Sequence, residues 1–102
     1  MRNKIEAIIE KLRPQLKVLS KRHTLRIISC LAEGSRYLTE IEMETGIPYT
    51  SIQQRVMEME RVGLIKTVNK NHPVFKRPVK EARLLDFYIV LSPSTIQKLV
   101  SK

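Results

Sequence analysis

Apolar positions near the start of the chain recur at helical spacing. Ile5, Ile9, Leu12, Leu16 and Leu19 follow at intervals of 4, 3, 4 and 3, on one stripe with Ile8 beside it. Pro14 interrupts this run. It has no N–H to donate and disfavours helix at the residue before it, so a kink or break is expected near Arg13, with Pro14 opening a second helical piece. The stripe suits either cover for the chain's own core or, by its heptad spacing, a seam between two copies. A second helix is expected over 20–33, with Leu25, Ile28, Leu31 and Ala32 inward and Gly34 capping its C-terminus. Tyr37 and Leu38 read as a short extended piece.

The stretch 38–65 is the most informative. Thr39 and Glu42 have capping-box spacing, which opens a short helix with Ile41 and residues 43–45 as its body. Gly46 ends it, Ile47 is the apolar residue of the turn, and Pro48 stands where a first helical position tolerates proline. A longer helix then runs to about Arg61. Its inner stripe is Ile52, Val56 and Met59, extended by Val62, and Gly63 terminates it.

Residues 64–68 read as a strand. So do residues 84–91, where Leu85, Phe87, Ile89 and Leu91 alternate on one face. Between them, 66–83 reads as a loop without glycine, in which Asn69, Asn71, Pro73 and Pro78 supply the turns. The tip of so long a loop is expected to order only against a ligand. Ser92, Pro93 and Ser94 open a last helix with Ile96, Leu99 and Val100 inward.

Charge sharpens this outline. The 102 residues carry 19 Lys and Arg against 10 Asp and Glu, a net charge of +9. Residues 1–22 hold seven basic and two acidic side chains, and residues 64–102 hold eight and two. The middle, 23–63, holds four basic and six acidic ones, so the positive field comes from the two ends. A basic chain of this kind takes polyanionic partners. The single cysteine, Cys30, excludes an internal disulfide and a multi-cysteine zinc site, and it reads as a small core residue. Pairing of Cys30 between chains would be its only redox role. His23 and His72 read as solvated. No apolar run reaches the length of a membrane span, and no signal-type segment opens the chain. One reduced, intracellular, cytoplasmic domain is therefore expected, in contact with the nucleoid. No nucleophile–base pair, carboxylate dyad or phosphate-binding glycine loop appears, so no enzyme and no cofactor are expected, and the sequence identifies no small-molecule effector.

Helix, short helix, glycine turn, longer helix and basic hairpin follow one another in a set order. The run LTEIEMETGIPYTSIQQRVMEMERVGLIKT resembles the helix-turn-helix of winged-helix transcription regulators of the ArsR and MarR type. LRIISCLAEG resembles their preceding helix, VGLIKT the exit into the wing, and FYIVLSPSTIQKLV the return after it. The resemblance spans about residues 20–102. It implies an α+β, mainly α fold: a winged helix-turn-helix with a three-helix core, a β-hairpin wing at 64–91 and additional N-terminal and C-terminal helices. Residues 1–19 lie outside the resemblance as an N-terminal helix and a candidate dimerisation element, alone or with the C-terminal helix. The metal-sensing cysteines and histidines of the ArsR type are missing from the short helix.

The expected chemistry follows from shape, because an α-helix fits the major groove of B-DNA. With Ile52, Val56 and Met59 inward and about 100° of rotation per residue, Thr50, Gln54, Met57 and Arg61 point outward. Ser51, Gln53 and Glu58 lie on the shoulders. Gln pairs bidentately with adenine, and Ser or Thr bonds bases or phosphates. The resemblance places Tyr49, Thr50, Ser51, Gln53, Gln54 and Arg55 at double-stranded DNA. Lys66, Lys70, Lys76, Arg77, Lys80 and Arg83 of the wing would meet the backbone or the minor groove. Two copies would address a pseudo-palindrome. The acidic middle, with Glu40, Glu42, Glu44 and Glu58, speaks instead for a winged helix used as a protein-interaction module in a transcription or chromatin complex. Bulk charge alone would serve non-specific packing of DNA, which has no use for the Thr-Ser-Ile-Gln-Gln run.

Overall fold

The computed structural model describes residues 4–100. Five helices and a three-stranded antiparallel sheet follow in the order α1 (Lys4–Leu19), α2 (Thr24–Leu31), β1 (Arg36–Tyr37), α3 (Leu38–Thr45), α4 (Tyr49–Arg61), β2 (Ile65–Asn71), β3 (Pro78–Leu84) and α5 (Pro93–Val100). The sheet order is β1-β3-β2.

The core is the space between α2, α3 and α4, closed by the base of the hairpin. Ile27 and Leu31 enter from α2, Leu38 and Ile41 from α3, and Ile52, Val56 and Met59 from α4. Ile47 fills the turn between α3 and α4, and Leu64, Ile65 and Ala82 seal the sheet side. The inner stripe expected for α4 is thus the buried one. In α2 the phase differs. The helix starts at Thr24, because residues 20–23 form a turn in which His23 takes a left-handed conformation at φ 77°. Ile27 is then fully buried while Leu25 is 66% exposed. Ala32, expected inward, is also exposed.

Pro14 neither breaks nor splits α1, which runs unbroken from Lys4 to Leu19. The piece beyond the proline is tied down by tertiary contacts: Val18 is buried, and Gln15 Nε2 donates to the Val62 carbonyl at 3.0 Å. Those contacts hold the helix across a position where one ladder bond is missing. The apolar stripe itself is only partly covered. Ile5, Ile9, Leu12, Leu16 and Leu19 are half-buried, and Ile8 is exposed.

The largest departure from the sequence reading is the hairpin. Residues 78–84, taken for loop, form β3, whereas 85–92 has no regular structure. The register runs from Ile65 opposite Leu84 to Asn71 opposite Pro78. The Leu85 N–H, bonded to the Leu64 carbonyl at 3.0 Å, closes the ladder. Beyond that point β2 has already turned into α4, so residues 86–91 meet no strand. Their alternation instead reflects packing over helices: Phe87, Leu12 and Leu99 border a shared apolar groove between α1 and α5. Helix α5 is opened by reciprocal bonds between Ser92 and Thr95, but none of its residues is buried. Ile96 and Val100, expected inward, are exposed. The projecting α1 and hairpin give principal extents of 56 × 27 × 21 Å. The radius of gyration of 16.2 Å exceeds the roughly 13 Å typical of a compact chain this long.

Candidate nucleic-acid interface

Helix α4 is aimed by the turn before it. Gly46 ends α3 at φ 74° and donates to the Glu42 carbonyl. Thr45 Oγ1 donates to the Ile41 carbonyl and accepts from the Ile47 N–H. Glu42 then reaches across to accept the Tyr49 N–H at 3.2 Å. A carboxylate therefore already stands at the first turn of α4, where free N–H groups attract anions. The capping interaction expected of Thr39 and Glu42 is made two residues earlier, by Glu40 accepting the Tyr37 N–H at 2.8 Å.

The polar residues of α4 divide into two groups. Thr50, Gln53 and Gln54 are exposed, and they line one groove together with Thr67 and Lys80 of the hairpin. Ser51 is half-buried beside them. Tyr49 is also half-buried, packed on the core. The second group faces the turn between α1 and α2. Arg55 donates from Nε to the Arg22 carbonyl and from Nη1 to Glu58, both at 2.9 Å. Glu58 also takes Lys21 Nζ at 2.6 Å. Its carboxyl therefore sits below the usual range, held by the Lys21 bond first and then by Gln54 and Arg55. Expected on a shoulder of α4 as one of the acidic residues of the middle segment, Glu58 is half-buried and paired with Lys21 and Arg55. His23, expected solvated, is half-buried in this cluster. Burial lowers its pKa, and Arg22, Arg55 and Arg26 lower it further.

Glu60 joins α4 to the hairpin. Its Oε2 accepts both the Thr67 N–H at 2.9 Å and the Thr67 hydroxyl at 2.8 Å. Those two bonds hold its carboxyl below the usual range.

The antiparallel register sorts the basic residues of the wing by face, since directly opposed residues share one. Asn69 and Lys80 oppose each other on the face that carries Ile65 and Ala82 at its base, toward α4. Lys66 and Arg83 oppose each other on the other face, which also carries Lys70 and Glu81. Glu81 accepts from Arg83 Nε at 2.7 Å and Lys70 Nζ at 3.2 Å. Arg83 chiefly, and then Lys70, keep the Glu81 carboxyl below its usual range. Two of the six wing cations are therefore partly compensated. Lys76 and Arg77 stand at the tip, exposed.

The tip is organised around one side chain. His72, expected solvated, is half-buried, and its Nδ1 accepts the N–H groups of Val74 and Phe75, both at 3.1 Å. Its backbone N–H reaches the Arg77 carbonyl at 2.8 Å, and its carbonyl takes the Lys76 N–H at 2.9 Å. The sequence signal was a histidine followed by proline in a turn without glycine. An acceptor side chain there does the work an Asx turn usually does.

Cys30 is half-buried, with Sγ 2.9 Å from Glu44 Oε2. Burial, then this contact, push the thiol up to about 11, so it stays protonated and unreactive near neutrality. Among the described residues no group of His, Cys, Asp and Glu could hold a metal ion, and no helix is long and apolar enough to cross a membrane.

No family model and no curated protein sequence matches the chain. Solved structures do. A homodimeric winged helix-turn-helix DNA-binding domain from Mycobacterium bovis aligns with a TM-score of 0.65 at 19% identity, over 82% of this chain and 72% of that one. The transcriptional repressor BigR from Xylella fastidiosa gives 0.64 at 23% identity, over 85% and 80%. HlyU from Vibrio cholerae gives 0.62 at 16% identity, over 99% and 100%. Element order, sheet topology and these alignments agree: the chain has the winged helix-turn-helix fold, mainly helical, with a β-hairpin wing and additional helices at both ends.

Proposed function

We propose that this chain is a sequence-specific, double-stranded DNA-binding regulator of transcription that acts as a homodimer. The observation that carries the reading is the shared groove: the exposed hydroxyl and amide rim of α4 and Lys80 of the wing open on the same space. A duplex seated there would receive Thr50, Gln53 and Gln54 on base edges in the major groove. Tyr49 and Ser51 would stand at the flanking phosphates. The wing would run along the backbone or the minor groove with Lys66, Lys70, Lys76, Arg77, Lys80 and Arg83. Arg55, expected at the duplex, lies outside the shared groove and faces the turn between α1 and α2. Its bonds to Arg22 and Glu58 set the roll of α4 rather than reach a base. The net charge of +9 supplies the long-range attraction.

The dimer reading rests on the uncovered apolar surface of α1, α5 and 85–91, where Ile8, Tyr88, Val90, Leu91 and Ile96 are exposed. The Mycobacterium bovis neighbour is itself described as homodimeric. Selection from random-sequence duplexes at two salt concentrations, together with the mass in solution, tests both parts. The expected result is an inverted repeat with half-sites about 34 Å apart and a mass of two chains. No enrichment above bulk DNA would remove the specific regulator and leave the protein-interaction module.

A further inference from the structure

The tip of the wing carries a feature that neither charge nor hydrogen bonding to DNA accounts for. Val74 and Phe75 stand at the apex of the hairpin, 72% and 64% exposed. Apolar side chains at an apex are ordinarily tucked against the strands below. Here the turn holds them out: His72 Nδ1 takes both of their N–H groups. The His72 ring packs on Phe75 at 4.7 Å between centroids, and Tyr37 of β1 backs His72 at 5.7 Å. The Arg77 guanidinium lies over the Phe75 ring, 5.4 Å from its centroid. The result is an exposed apolar point, hydrogen-bonded and ring-packed at its base, on a two-stranded ribbon and flanked by Lys76 and Arg77.

The geometry points to Val74 and Phe75 as a wedge that enters the minor groove and partly unstacks one base step, kinking the duplex. This deepens the proposed function and rests on it. The ribbon projects about 20 Å from Ile65 to Asn71 at strand rise, enough to pass from a helix seated in the major groove to the neighbouring minor groove. The cations flank the apolar point as phosphates flank the groove, which selects DNA over an uncharged protein surface. Pre-organisation decides the energetics. Unstacking is costly, so a loop that folded back on itself would not drive it, whereas a turn pinned by His72 keeps the point extended. Pyrimidine–purine steps unstack most readily, so the selected sites should carry TA or CA/TG on the outer flank of each half-site.

The test uses the whole chain and a short duplex bearing the selected site. Dyes at its two ends report bending, and 2-aminopurine at the flanking step reports unstacking. The wild-type chain should bend the duplex by an angle within roughly 20–90° and raise the 2-aminopurine fluorescence. Val74→Ser with Phe75→Ser should abolish both signals and weaken binding about tenfold, the lost burial of two apolar side chains being partly offset by the unstacking no longer incurred. The salt dependence should not change, because no phosphate contact is lost. Phe75→Leu should retain the bend. If the double variant does not fold, Val74→Ser alone carries the test through its 2-aminopurine signal. A wild-type complex with a straight, fully stacked duplex overturns the wedge while leaving the regulator standing, and so does an equal bend in the double variant. Failure of the wild-type chain to bind the selected duplex overturns both.

Discussion

Leu25 and Ile27 differ little in hydropathy and stand two positions apart, yet one faces solvent and the other is sealed in the core. The cause is local. His23, at φ 77°, lets the chain turn before Thr24, and this sets the phase of α2. No apolar pattern encodes that phase, because a left-handed histidine looks like any other histidine in a sequence. Ile27→Ala should cost about 2–5 kcal/mol, whereas Leu25→Ala should cost no more than about 0.5 kcal/mol. Urea unfolding followed by circular dichroism separates the two, and comparable losses would mean the phase is wrong. Inverse cases were legible. Ile52, Val56 and Met59 were readable as an inner stripe, because a full-length amphipathic helix overdetermines its own phase. Glu58 was not, because its partners Lys21 and Arg55 include one distant in sequence.

Among the elements, α1 shows how tertiary contacts override a local rule. Pro14 has no N–H for the carbonyl one turn back, yet the helix continues, anchored by Gln15 and Val18. Restoring the donor with Pro14→Ala should raise stability by roughly 1–3 kcal/mol, read as a higher urea midpoint with an unchanged slope. A fall in stability would mean that the proline ring itself is a packing contact. The hairpin shows the opposite limit. Residues 78–84 read as loop because Pro78, Lys80, Glu81 and Arg83 break up the apolar pattern. A projecting ribbon largely open to solvent has little hydrophobic alternation to display, apart from Ala82 and Leu84 at its base. Residues 86–91 alternate well but lack a neighbouring strand. Alternation reports a half-buried segment and does not say what covers it.

For the whole molecule, the order of elements over 20–102 was enough to name the fold, because each loose motif constrains the next. How the wing cations divide between two faces was not legible without the register. Glu81 compensates Lys70 and Arg83, so the wing acts with less than its formal charge. Glu81→Gln should therefore tighten binding to the selected duplex and steepen the log–log salt dependence by up to about 0.9. Titration of affinity against salt measures both effects. An unchanged slope would mean that these two cations stay clear of the phosphates.

The two hydrogen bonds that Glu60 accepts from Thr67 have a mechanical meaning. They tie the base of the ribbon to the helix that it follows in the chain. The pair behaves like a calliper with a locked gap, anchored at both jaws to one carboxylate. Such a gauge does not stretch to suit what it grips. In the proposed complex, a duplex over- or underwound relative to that gap would take up the mismatch largely in its own twist.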